Sequence, residues 1–526
     1  MNVSDVMVGY LKAAGIGHVF GYPGDPNIEF MEAARRAGLA FVLGRREGTA
    51  GLMAEAYGFL TGRPGVCMST LGPGSSNLVN AVANAYLDRV PMIAISGQIE
   101  RKREQTFTHQ VLNHNLIFSP VSKWATHVTP DTVGGVMRRA LRTALAERPG
   151  PVHITTHADV VGAEASDDAV RLPPAAKAFG GDAGIAARLR KAKKPVILAG
   201  IAAQRANAHG ALAQLAEKAG IPVVVAPMAK GVIPEDHPYY AGTLDMACNQ
   251  LMWDFLKGCD LIVAAGFDAV ELIKPWTLSV PVVHIDAVSN TDQIYSADTE
   301  LVGDITAILE AVAKAWKGEP RWTAAAVKRH REQLRAAYYA GRVKGRLNPT
   351  DVIDAVREAM PRAALATTDV GSHKLLVGQG WTTYAPRSVL MTNGLSSMGY
   401  SLPAAIVAQL LHPKAPVVCF VGDGGLAMVQ GELRLAASLK LPLLVVVFCD
   451  GSLNRIEIKQ ANRKYPSWGT LIESTDIALL ARSMGCEGAQ VDNAKALQRL
   501  LAGKRPKDRP LVVGATIDPA QYTRQF

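Results

Sequence analysis

Two aspartates, Asp423 and Asp450, stand 27 residues apart in the run PVVCFVGDGGLAMVQGELRLAASLKLPLLVVVFCDGSLNRIEIKQ (416–460), each at the end of an apolar stretch. Asp423 lies within Gly422-Asp423-Gly424-Gly425, and Asp450 precedes Gly451-Ser452. Short apolar runs that end in glycine and polar residues read as buried strands, and the span between them holds one helix and a return strand. In a parallel sheet that unit puts both carboxylates on the carboxyl edge, where ligands bind. Two carboxylates, a main-chain carbonyl and water supply part of the octahedral oxygen shell that magnesium demands, and phosphate oxygens complete it. Gly424 and Gly425 let backbone amides come close to a diphosphate, and the start of the following helix favours the same anion. Alone, Gly-Asp-Gly after a strand is an ordinary turn. The second strand-end aspartate is what points to metal and phosphate.

Other residues have types and places that suit chemistry, though each has a plain structural reading of its own. TTDVGSHKLL puts Ser372 and His373 between a strand and a helix, where a histidine is also an ordinary loop residue. Glu47 falls where a strand passes into a helix, a place that the helix dipole favours for any glutamate. Gly72-Pro73-Gly74 and Asn77 form a glycine-rich loop after another strand, and Gly24-Asp25 forms a turn beside Pro26. Ser396 and Met398 sit in TNGLSSMGYSLPAA, where a buried methionine would otherwise be core packing.

The elements that must position these residues alternate between strand and helix along the whole chain. HVFGYPG, FVLGRREG, VCMSTLGPGSSN, MIAISGQ and VHITT predict strands of a first block over 1–170, and the Pro-, Ala- and Gly-rich stretch near 165–185 reads as a linker. PVILAG, PVVVAPM, LIVAAGFD and PVVHID belong to a second block over 183–320. After a charged helical stretch, a third block over 345–526 carries ALATTDVG, VLMTNG, VVCFVGDGG, LLVVVFCDG and PLVVGATI. Strands alternating with helices give parallel sheets covered on both faces, so the expected fold is three doubly wound α/β domains in series. No close repeat relates the blocks, although their strand–helix rhythm is similar.

Composition narrows the class. A chain of 526 residues with 48% hydrophobic and 19% charged residues has ample material for buried sheets. No apolar run reaches the roughly 18–20 residues needed to cross a bilayer, and the first twenty residues lack the form of a secretory signal, so the expectation is a cytoplasmic protein without a membrane partner. The net charge of +10 is scattered, with only short clusters at 101–104 and 191–194, which predicts a basic surface and no nucleic-acid groove. Six cysteines with no Cys-x-x-Cys pair argue against a zinc site or a disulfide framework.

The run from Gly422 to Ser452 resembles the diphosphate-binding motif of thiamine-diphosphate enzymes, which runs Gly-Asp-Gly, some 25 to 30 residues, then Asn or Asn-Asn. Asp450 stands where asparagine is commoner. The stretch from Glu47 through GRPGVCMSTLGPGSSNLVNAVANAYLDRVPMIAISGQ is similar to the acetolactate-synthase branch of that family, and the likeness runs through nearly the whole chain. It implies a pyrimidine-binding, a central and a diphosphate-binding domain, with Asp423, Asp450 and the carbonyl of Ser452 as Mg2+ ligands. It also implies that Ser372, His373, Gly422, Gly424, Gly425 and Ile456 contact the cofactor on the diphosphate side. Gly24, Gly72, Pro73 and Asn77 would contact it from the first domain. By the same resemblance Glu47 would bond a pyrimidine ring nitrogen and shift the 4′-amino group to its imino form. Met398 would be the wedge that bends the cofactor, with Ser396 facing the pyrimidine. Family sites draw on two subunits, which implies a homodimer or homotetramer.

Reaction type is read from departures. Where the biosynthetic synthases carry Phe-Gln-Glu, this chain has His109-Gln110-Val111, and Gln110 is kept as a catalytic candidate. Asp25 stands as in the Gly-Asp of pyruvate decarboxylases, and with His109 it would form a proton relay. DGSLNRIEIKQ ends like flavin-free catabolic acetolactate synthases, with Asn454 and Arg455 in place of the usual glycine and hydrophobic residue; a positive Arg455 would suit a second anionic group. GFDAVEL in the middle block also resembles flavin-free relatives, so FAD is not expected. The reading is thiamine-diphosphate- and Mg2+-dependent decarboxylation of a small-molecule 2-oxo acid with carboligation. Simple decarboxylation to an aldehyde is the alternative, and a cofactor-binding scaffold without turnover is a third.

Overall fold

The computed structural model describes residues 1–166, 169–172 and 178–525, and they form two compact units. One comprises Met1–Ala176 with Gly394–Leu411; the other comprises Lys177–Asn393 with His412–Phe526. Residues 167, 168 and 173–177 of the expected linker lie outside the described set.

The first unit is built on one sheet of six strands: β1 (His18–Gly21), β2 (Ala40–Leu43), β3 (Gly65–Ser69), β4 (Met92–Gln98), β5 (Trp124–His127) and β6 (Pro151–His157), in the order β2-β1-β3-β4-β6-β5. β4 and β6 are buried along their whole lengths, as strands covered on both faces must be. Helices Glu47–Thr61 and Gly72–Leu87 follow β2 and β3. Their contact is close because Gly51 has no side chain: a Cβ there would lie 2.5 Å from that of Ala81.

The second unit holds two sheets. One contains β7 (Pro195–Ala199), β8 (Val223–Val225), β9 (Tyr240–Thr243), β10 (Leu261–Ala265), β11 (Val282–Asp286) and β12 (Thr299–Val302), ordered β12-β11-β10-β7-β8-β9. The other contains β13 (Leu365–Thr368), β14 (Val389–Met391), β15 (Val417–Gly422), β16 (Leu444–Cys449), β17 (Glu487–Val491) and β18 (Leu511–Thr516), ordered β14-β13-β15-β16-β18-β17. Each is sealed by its own apolar core.

Every pairing in the three sheets is parallel, and the α/β class read from the alternating pattern is the observed one. The first and third sheets share one strand order. Both reverse direction beside their first strand, between β1 and β3 and between β13 and β15, and such reversals open a crevice at the carboxyl ends of the strands. The pattern reading missed β5, β9, β12 and β17, all of which are edge strands. β5, β12 and β17 are only partly buried, so they need no apolar run; β9 is buried, but its sequence YAGT carries no β-branched stretch. Among the described residues no helix is long and apolar enough to cross a membrane.

Candidate functional site

On the third sheet, β15 delivers Asp423 and its neighbour β16 delivers Asp450, so both carboxylates arrive on one edge. Asp423 Oδ2 accepts the Gly451 amide at 2.9 Å and Oδ1 accepts the Gly424 amide at 2.8 Å, which ties the two loops together. Gly451 has φ +66°, a conformation in which other residues are strained. Ser452 pairs with Leu471, and Leu453 N donates to Thr470 O at 2.7 Å, so the loop is held from its far side. Burial, and then the charge of Asp423, push the Asp450 carboxyl up to about 7.

His373 and Ser372 open the helix Ser372–Gly380, one strand over, after β13. Ser372 Oγ donates to Asn454 Oδ1 at 2.8 Å. The His373 ring stacks on Phe448 at 5.1 Å, with its Cε1 3.2 Å from where a Cβ on Gly422 would stand. Burial, with Lys374 adding to it, lowers this imidazole to about 3, so it is neutral, and its buried Nε2 has no hydrogen-bond partner. Gly425 is buried, and a Cβ there would meet Asp369 Oδ2 at 2.1 Å. Ile456 is exposed on the helix Asn454–Asn462, which leaves this loop.

These features fit a magnesium diphosphate. The crowding that raises Asp450 is relieved by a divalent cation, and the His373 ring lies with its Cε1 and Nδ1 edge against Gly422 at the head of the glycine loop. Among the described residues no group of three or more His, Cys, Asp and Glu is placed to hold a metal. The two aspartates therefore need carbonyl and ligand oxygens to complete a shell.

In the first unit Glu47 begins its helix, nearly buried, and Asn77 Nδ2 donates to its Oε2 at 3.2 Å. Gly74 backs onto the other oxygen, with a would-be Cβ 3.2 Å from Glu47 Oε1. Gly72 N donates to the carbonyl of Gln110 at 3.0 Å, and Gln110 has φ +60° with an exposed side chain. Gly72, Pro73, Gly74 and Asn77, expected in a loop, instead form the first turns of the helix Gly72–Leu87, where a proline is tolerated because the first-turn amides have no helical partner. Gly24 lies against Thr70, and its amide donates to Asn27 Oδ1 at 3.0 Å. Asp25 and His109 are both exposed, the His109 ring lying edge-on to Phe107, and no described contact joins Asp25 to His109.

Ser396 and Met398 lie in the third block by sequence, yet the structure packs Gly394–Leu411 with the first unit. The buried helix Ser401–Leu411 packs on the helix Glu47–Thr61, and a polar cluster that the sequence reading did not single out ties down the loop before it. Asp88 Oδ1 accepts the Gly394 amide at 2.6 Å, Asn84 Oδ1 accepts the Ser397 amide at 3.3 Å, and Asn80 Nδ2 donates to Ser397 Oγ at 2.6 Å. Asn84 Nδ2 also donates to both oxygens of Glu55 at 2.9 Å, and burial together with the Asp88 charge holds Glu55 well above the ordinary carboxylate range. The available signal was the spacing of Asn80, Asn84 and Asp88, four residues apart on one helical face. Ser396 has φ +57°, and Met398 is half-buried.

Three family models match the chain: thiamine pyrophosphate enzyme N-terminal TPP binding domain over residues 1–117, central domain over 183–312, and C-terminal TPP binding domain over 369–515. A catabolic acetolactate synthase of Raoultella terrigena is 30% identical over 98% of this chain and 95% of its own length. An acetolactate synthase of Bacillus subtilis is 28% identical over 98% and 93%. A probable 2-ketoarginine decarboxylase of Pseudomonas aeruginosa is 30% identical over 95% and 91%.

Proposed function

The chain belongs to the thiamine pyrophosphate enzyme family, and on that premise we propose that it decarboxylates a 2-oxo acid with Mg2+ and thiamine diphosphate and joins the remaining fragment to a second carbonyl compound. The observation that carries this reading is the Asp423–Asp450 pair on neighbouring strand ends, bridged through the Gly451 amide. When bound, the cofactor would supply a thiazolium ring whose carbon adds to the ketone and whose cationic nitrogen takes up the electron pair released as carbon dioxide leaves.

The protein's part is to bind, orient and move protons. Asp423, Asp450 and the Ser452 carbonyl would hold the metal, and a ring nitrogen of neutral His373 would hydrogen-bond the diphosphate. Glu47, oriented by the Asn77 amide, would hydrogen-bond the pyrimidine ring nitrogen. Met398 would support the bent cofactor from a loop that Asp88 and Asn84 anchor. Gln110, whose main-chain carbonyl accepts the Gly72 amide, would contact the acceptor carbonyl. Glu47 and the metal loop come from different protomers, so a homodimer is the smallest working assembly. The cytoplasm is the proposed location.

Calorimetry with Mg2+ present tests the binding step and should register thiamine diphosphate uptake. Carbon dioxide release over a panel of 2-oxo acids, with product analysis, then separates the outcomes. An acetolactate- or acetoin-type product supports carboligation. Aldehyde alone supports the decarboxylase reading, which the name of the Pseudomonas relative favours. Uptake without turnover leaves the scaffold.

A further inference from the structure

The helix Asn454–Asn462 starts two residues beyond Ser452, so its first turn is fixed beside the candidate metal loop, where Ser372 Oγ holds Asn454 at 2.8 Å. Arg455, Ile458, Lys459 and Asn462 recur at helical spacing and line a cavity of about 540 Å³. The opposite wall comes from the loops after β9 and β10, and Arg524 closes one side.

The charge of this cavity is one-sided. Lys274, Arg455, Lys459 and Arg524 line it, against the single acid Asp245. Asp245 is committed to structure: its Oδ1 accepts Asn249 Nδ2 at 2.8 Å and Trp253 Nε1 at 2.9 Å, and its Oδ2 accepts the amides of Ile273 at 2.6 Å and Lys274 at 3.1 Å. Those bonds pin the 273–274 loop and leave the carboxylate little capacity for a cationic guest. Burial lowers the Arg455 guanidinium from its ordinary value, although an arginine stays charged. Arg455 is half-buried, Lys274, Lys459 and Arg524 are exposed, and a recess lined by one sign of charge concentrates anions.

We propose that this cavity receives the substrate's side chain, and that the substrate is a 2-oxo acid ending in a second carboxylate. The inference rests on the proposed 2-oxo acid chemistry and adds a substrate class to it. Arg455 is the specificity residue closest in sequence to the metal loop, and Lys459, one turn on, extends the same field. A cationic side chain, such as that of the 2-ketoarginine named for one relative, would meet four like charges here. An uncharged aliphatic side chain would fit the apolar parts of the wall but gain nothing from the charges.

The test uses the holoenzyme with Mg2+ and matched pairs that differ only in the distal carboxylate: oxaloacetate, 2-oxoglutarate and 2-oxoadipate against 2-oxobutanoate, 2-oxopentanoate and 2-oxohexanoate. The expected result is a kcat/KM at least tenfold higher for the charged member of at least one pair, carried mostly by KM. 5-Guanidino-2-oxopentanoate should be the poorest substrate. Arg455→Met should collapse the preference within its pair, and Arg455→Lys should retain most of it. Reading the ratio within each variant cancels any general loss of activity. Equal kcat/KM across all pairs, or a preference for the cationic acid, overturns the substrate assignment while leaving the chemistry standing. Absence of turnover with every acid overturns the proposed function and this inference together.

Discussion

Glu47 carries one oxygen on Asn77 Nδ2 and turns the other toward Gly74, where no side chain blocks it. A carboxyl in that position can pass a proton to a ring nitrogen, whereas an amide cannot. Glu47→Gln should therefore lower the decarboxylation rate by about two to four powers of ten while calorimetry still registers cofactor uptake. Loss of less than tenfold would remove Glu47 from the proposed role. A different carboxyl, Glu271, illustrates burial without a partner for one oxygen. Its Oε2 accepts the Ile201 amide at 2.9 Å, its Oε1 is buried with no hydrogen bond, and burial pushes the group up to about 8. Because that lies above the ordinary 4.5, the folded protein keeps this proton longer than the unfolded chain does. The associated stability is complete below pH 4.5 and is lost as pH rises through 8. Glu271→Gln should flatten that decline, which is bounded by about 5 kcal/mol. Chemical denaturation between pH 5 and pH 9 measures it, and parallel curves for parent and variant would refute it.

Helices Glu47–Thr61 and Gly72–Leu87 are positioned by small residues, and Glu47 and Asn77 lie one turn from Gly51 and Ala81 on the same contact. Gly51→Ala places a methyl 2.5 Å from Ala81 Cβ, so the helices must separate. The expected cost is about 1–3 kcal/mol in stability together with weaker cofactor uptake, read by thermal melting and calorimetry on the same sample. An unchanged melt would mean that the pair relaxes without strain. The helix that Glu47 begins was legible in sequence, whereas Gly72–Asn77 read as a loop and are the first turns of a helix. The anchoring of Gly394–Leu411 on Asn84 and Asp88 was not legible either, because hydrogen bonds between residues some three hundred apart leave no local periodicity. Edge strands such as β12 and β17 escaped for a related reason: strands that stay partly in water need no apolar run.

At the scale of the whole molecule, the two compact units carry complementary halves of the candidate chemistry, Glu47 with Met398 in one and Asp423 with Asp450 in the other. If each working site draws these halves from two protomers, co-expressed Glu47→Gln and Asp423→Asn chains should complement. Half of randomly formed dimers are mixed, and each mixed dimer has one intact site of two, so about a quarter of parental activity should return. Activity no higher than that of either variant alone would place both halves in one protomer.

The amino-acid sequence by itself determined the α/β class, the strand ends that carry Asp423 and Asp450, and the strand–helix junction that carries Glu47. Each of these depends on local patterns of apolar runs, glycines and acids. Only the tertiary structure decided that the first and third sheets share a strand order, that the Met398 loop joins the first unit, that His373 is neutral with an unpartnered nitrogen, and that four basic side chains meet around one cavity. Those properties arise from burial and from contacts between distant segments, and a linear chain encodes them only through the packing it finally adopts.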